Sequence, residues 1–118
     1  GLDFYLANHD KASQIALFEQ QLVLAVQYDL PVILHVRKAH DPVLILLKKH
    51  RVKGGIVHAF NGSEQQAHHY IKLGFLLGVG GTISYAKATR LRRLFASLPS
   101  ADAIAETITI NVQTLFAI

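Results

Sequence analysis

With 118 residues, 51% of them apolar and 17% charged, the chain can form one domain with a real core and is too short for two. No apolar run approaches the roughly 18 residues of a membrane span and no signal pattern opens the sequence, so a cytoplasmic protein without a membrane partner is expected. The absence of cysteine excludes disulfides, a thiol nucleophile and a thiolate metal site.

The net charge of +4 is unevenly spread. Apart from Lys11 and Lys72, the basic residues fall in two stretches. Arg37, Lys38, Lys48, Lys49, Arg51 and Lys53 form one, and Lys87, Arg90, Arg92 and Arg93 form the other. Such clustering would attract a polyanion, although solvated helix faces would look the same.

Taken in chain order, the first element is an amphipathic helix over Lys11 to Asp29, with Ile15, Phe18, Leu22 and Ala25 on one side. Leu30-Pro31 stops it, and Val32-Ile33-Leu34 reads as a short buried strand. Asp41 can cap the next helix, with Pro42 at its first position and an end near Lys49. Gly54-Gly55 leads into a second strand, Ile56-Val57. Ser63 and Gln66 form a capping box for a helix reaching Leu73, and Gly74 takes the left-handed position after it. A third strand covers Phe75 to Val79, and a fourth helix runs from about Ala86 to Ser97 before Pro99. Beyond Pro99, Ile104, Ile108, Asn111 and Leu115 recur at helical spacing and predict a terminal helix, against the β-branched Thr107 to Ile110 run. The alternation of helices with strands apolar on both faces predicts an α/β fold with a parallel sheet covered by helices.

His35 closes the first of these strands and His58 the second. Side chains at the carboxyl ends of parallel strands line active sites, and neutral imidazole is a common ligand for zinc and similar ions. His9 and His40 fall in loops, His50 at a helix end, and His68 and His69 on a helix, so these five read as surface residues. His40 lies just past the His35 strand and could reach a site there. The glycines at Gly78, Gly80 and Gly81 lack the spacing of a dinucleotide or phosphate loop and read as permitting a close backbone approach.

Four segments together resemble the TatD family of metal-dependent hydrolases. Gly1-Leu2-Asp3-Phe4-Tyr5 is similar to that family's G-E-x-G-L-D-F/Y, and Leu30 to Arg37 with Ala39-His40-Asp41 is similar to LPVILHxRxAHD. Gly55 to Ser63 resembles GVVHxFxGS, and Leu77 to Tyr85 resembles IGVGGTITY. The resemblance implies part of a (β/α)8 TIM-type barrel, with residues 1–118 as one partial barrel domain. It also implies hydrolysis of DNA or another phosphodiester by water activated on divalent ions (zinc, magnesium or manganese, two per site), with no obligate protein partner. His35 and His58 would be metal ligands, Arg37 and His40 would contact phosphate or order the ligands, and Asp3 would act from behind them.

The family's early His-x-His, the Glu of G-E-x-G-L-D, and the Asp of a late E-T-D-x-P have no counterpart here. Ala105-Glu106-Thr107 resembles the start of that last motif, but Ile108 stands in the place of Asp. Ala101 to Phe116 is similar instead to the family's last helix, so a segment is expected to be missing near Ser100 and Ala101, followed by a C-terminal helix over 101–117. An inactive remnant acting as a binding fragment, or an amidohydrolase acting on a small cyclic substrate, are the competing expectations.

Overall fold

Polar caps and left-handed residues set the limits of the elements in the computed structural model, which describes residues 1–5, 10–78, 93–94, 96 and 104–105. Helix α1 spans Lys11–Gln27, and its N-cap Asp10 accepts the Ser13 backbone N–H at 3.1 Å. It ends two residues earlier than its periodicity predicts. Asp29 turns into the left-handed region at φ 53°, its N–H bonds to Val26 and that of Leu30 to Ala25, so the last carbonyls are satisfied before Pro31 is reached.

Strand β2, Val32–Arg37, runs three residues beyond the expected Val32 to Leu34 and alternates along its length. Leu34 and Val36 are buried, whereas Ile33, His35 and Arg37 are exposed on the other face. Helix α2, His40–Lys49, starts one residue before the predicted Asp41 cap. Ala39 holds the N-cap position without a side-chain bond, and Asp41 instead accepts from Gln66 Nε2 at 2.9 Å. Pro42 is tolerated in this first turn because N–H groups there have no intrahelical acceptor.

Strand β3 is Gly55–His58, helix α3 is Glu64–Lys72 and strand β4 is Phe75–Gly78. The capping box of Ser63 and Gln66 is present in both directions, and Gly74 takes the left-handed position at φ 87°. Arg93, Leu94 and Ala96 are helical within the predicted fourth helix, while Val79 and the remaining residues of that segment lie outside the described residues.

Two elements differ from expectation. Leu2–Asp3 forms a strand, β1, too short for any periodicity to show it. Ile104–Ala105 forms strand β5 and not helix, pairing parallel with Leu77 and Gly78. Beside β4 these residues satisfy backbone groups at what would otherwise be an open sheet edge, a gain that helical spacing alone cannot reveal. The rest of the predicted helix over 101–117 lies outside the described residues.

All neighbours in the sheet are parallel, in the order β1-β2-β3-β4-β5. A sheet that advances in sequence order, without the reversal of a doubly wound fold, is the progression of a (β/α) barrel. The core lies on one face of it. Phe18 and Leu22 from α1, Val43 and Leu47 from α2, and Ala67 and Tyr70 from α3 cover Leu34, Val57 and Leu77. Ile33, His35 and Arg37 project from the opposite face, which in a barrel is the interior. Among the described residues no helix is long and apolar enough to cross a membrane.

Candidate metal centre

The strand register puts the two predicted ligands side by side. His35 on β2 is the register partner of His58 on β3, so both imidazoles leave the same face at the carboxyl ends of neighbouring strands. One strand further over, Asp3 is paired with Arg37, two residues beyond His35 and on that same face. Asp3, His35, Arg37 and His58 therefore share one corner of the sheet.

Asp3 and His35 are bonded directly, with Oδ2 3.0 Å from Nε2. This bond comes first, and the Tyr5 backbone N–H on Oδ1 at 3.0 Å second, in holding the Asp3 carboxyl below its ordinary value. An ionised carboxylate can only accept, so His35 donates to it through Nε2. The main chain of Asp3 is gripped as well. Its N–H donates to Gln14 Oε1 at 2.9 Å, and its carbonyl accepts from Gln14 Nε2 at 3.0 Å.

The turns after the two His-bearing strands are tight. Lys38, following β2, has φ 53°, and Ala59, following His58, has φ 46°. Such values cost a non-glycine residue about 1–2 kcal/mol, and strain of this kind gathers at functional sites. Gly78 lets β4 come close here. A Cβ on it would stand 3.0 Å from the Val57 carbonyl oxygen and 3.1 Å from the Ala59 nitrogen. The Phe60 N–H then bonds the Gly78 carbonyl at 2.9 Å, closing the turn beyond His58.

His40 is not the loop residue that the sequence suggests. It opens α2 and is 8% exposed. Nδ1 lies 2.9 Å from the Tyr70 hydroxyl, and the ring stacks at angles against Phe60 and Tyr70. Burial lowers its pKa, against smaller opposing effects of Asp41 and the Asn61 backbone, while burial pushes the Tyr70 phenol up. Both rings are therefore neutral at physiological pH, and because the Asn61 backbone takes the other ring N–H of His40, Tyr70 donates its hydroxyl hydrogen to Nδ1. His40 thus braces the turn that carries Asn61 from the core side.

Cations line the approach. The Arg37 guanidinium sits 3.7 Å from the Tyr5 ring centre and Lys38 Nζ 5.0 Å from it. With Val36, His40 and Asn61 they border a cleft of about 430 Å³ that neither His35 nor His58 lines. Of the remaining histidines, His50 bonds Glu19 at 2.7 Å across α1 and α2, and His68 faces Glu64 on α3. Both stand apart from the corner holding His35; His68 is exposed as expected, whereas His50 is only 19% exposed and partly buried, not the solvated residue the sequence predicts.

The donor set fits a divalent ion in part. Two imidazoles on one face, one of them oriented by a carboxylate, are what such an ion requires from neighbouring strands. Among the described residues no group of three or more His, Asp or Glu side chains converges on one point. Sequence reasoning singled out Asp3, His35, Arg37 and His58, which the sheet brings to one corner, and did not single out Gln14 or Tyr70. Gln14 falls on the apolar stripe of α1 four residues before Phe18, and a polar residue on such a stripe was the available signal.

Comparisons with known proteins identify the family and the fold. The profile of the family described as TatD related DNase matches residues 1–108. YjjV of Escherichia coli K12, an uncharacterized metal-dependent hydrolase, is 45% identical over 108 residues, covering 91% of this chain and 42% of that protein. The 3'-5' ssDNA/RNA exonuclease TatD of Klebsiella pneumoniae is 34% identical over 110 residues, again 91% of this chain and 42% of the relative. The crystal structure of YjjV superimposes with a TM-score of 0.78 at 46% identity, over 84% of this chain and 39% of that one. The chain thus spans about two fifths of the length of the relatives it matches. Its parallel sheet is part of a TIM-type barrel, and the chain belongs to the TatD-related family of metal-dependent hydrolases.

Proposed function

We propose that this chain provides part of the active site of a metal-dependent phosphodiesterase acting on single-stranded nucleic acid, DNA foremost. The observation that carries the proposal is the register pairing of His35 with His58 at the carboxyl ends of β2 and β3. His35 through Nδ1 and His58 would hold a divalent ion (zinc, magnesium or manganese), with a second ion completing the site. When bound, such ions acidify water and neutralise charge on a phosphoryl group.

The chain's own residues do the rest. Asp3 keeps His35 in one tautomer and one orientation. Arg37, on the same face and beside the cleft, binds a phosphate oxygen and orients the scissile group, a task suited to a planar guanidinium. His40 holds the turn around Asn61 from behind. The exonuclease name of the Klebsiella relative supports nucleic acid as the substrate class.

The test is hydrolysis of end-labelled single-stranded DNA by the intact protein with a divalent ion, with chelator as control. Cleavage that stops on chelation supports the reading. Hydrolysis of small cyclic amides without any action on DNA would replace it with an amidohydrolase.

A further inference from the structure

The hydrogen-bond pattern around Asp3 reaches one layer beyond the candidate ligands. Phe4 N–H bonds the Arg37 carbonyl at 2.9 Å, so Phe4 faces β2 and, by the alternation of a parallel strand, the N–H and carbonyl of Asp3 point away from it. Both of those outward groups end on a single side chain, the amide of Gln14. A primary amide is the side chain suited to this, because it carries a donor and an acceptor side by side, as a peptide group does. Gln14 therefore acts as a one-residue strand partner for Asp3, supplied by α1.

Its base is firm. Gln14 lies in the first turn of α1, where its own N–H bonds the Asp10 carbonyl at 3.0 Å, and Asp10 caps the helix through Ser13. Phe18 and Leu22, on the same stripe of α1, are fully buried. The Gln14 amide is thus fixed relative to the core, and Asp3 is fixed to it through both its N–H and its carbonyl. β1 has only two residues, and Gln14 takes the main-chain groups of Asp3 that do not face β2.

We propose that Gln14 is a positioning residue for the metal centre: its amide clamps the Asp3 main chain so that the Asp3 carboxylate holds His35 with Nδ1 turned to the ion. This rests on the assignment of His35 as a ligand, and it predicts a connected unit running Gln14, Asp3, His35.

The test uses Gln14→Met, which keeps length and apolar bulk without either hydrogen bond, and Gln14→Glu, which keeps an acceptor for the Asp3 N–H and loses the donor to its carbonyl. In the metal-free intact protein, ring ¹⁵N shifts should show His35 protonated at Nε2. Gln14→Met should mix the two tautomers, weaken zinc or manganese binding about tenfold, and lower kcat with KM little changed. Gln14→Glu should fall between Met and wild type. Wild-type ring shifts and metal affinity in a folded Gln14→Met protein would overturn the proposal. If that variant does not fold, wild-type shifts and affinity in Gln14→Glu would overturn it equally. Undiminished metal binding by His35→Ala would instead remove the ligand assignment beneath it, so the two failures are distinguishable.

Discussion

Asp3 Oδ2 and His35 Nε2 lie 3.0 Å apart across neighbouring strands, and the carboxylate's lowered pKa keeps it the acceptor of that bond. Asp3→Asn retains the size of the side chain but lets the amide present either an oxygen or an N–H to the ring. Metal affinity or turnover in the intact protein should drop about 10–100-fold, the range for partners of metal-bound histidine. Isothermal titration with zinc or manganese, alongside the thermal midpoint, separates this loss from unfolding.

The buried pair of His40 and Tyr70 predicts a stability effect. Tyr70→Phe removes the donor to Nδ1 and leaves a buried acceptor without its partner, at a cost of about 1–3 kcal/mol. Urea unfolding of the two proteins measures it. Catalysis should change far less, since this ring supports a turn and touches no reacting atom.

His40 also sets a pH dependence. Its folded pKa lies below the ordinary 6.5, so the unfolded chain binds more protons as pH falls past that value. Its contribution is level above about pH 6.5 and declines as pH drops through it, by at most about 1.4 kcal/mol per pH unit, flattening below the folded pKa. His40→Gln should show a shallower decline than wild type between pH 6.5 and 5. A steeper decline in the variant would contradict the burial argument.

Most of the fold was legible because its signals are local. The Ser63–Gln66 capping box, Gly74 and the buried stripe of Phe18, Leu22 and Ala25 follow from sequence spacing alone. What escaped depends on distant partners. β1 exists through its pairing with Val36 and Arg37, and β5 through its pairing with Leu77 and Gly78. At the site, His35 and His58 could be set near the carboxyl ends of their strands because each follows a β-branched or Leu run, although β2 continues two residues past His35. His40 could not, because its burial depends on Tyr70, thirty residues away.

Asp29 offers a stability test independent of function. It holds φ 53° at the end of α1, and its exposed carboxylate lies 3.9 Å from Lys53 Nζ, a separation at which a surface pair contributes little. Asp29→Gly should stabilise the protein by about 0.5–1 kcal/mol, the relief of left-handed strain less the greater freedom of unfolded glycine. A higher denaturation midpoint at unchanged slope is the expected reading.

The cations near the cleft should act differently from those on the helices. Arg37→Glu with Lys38→Glu should weaken single-stranded DNA binding and reduce the salt slope by about 0.7 for each phosphate no longer neutralised. Lys48→Glu and Arg93→Glu, both exposed on helices, should have little effect. Equal weakening by both sets would mean general attraction to a basic protein.

The pairing of His35 with His58 as ligands is tested most directly by metal content together with turnover in the intact protein carrying His35→Ala or His58→Ala. Each variant should remain folded, retain less divalent metal than wild type after dialysis, and lose most cleavage of single-stranded DNA. Wild-type metal content and full cleavage in either variant would contradict the assignment.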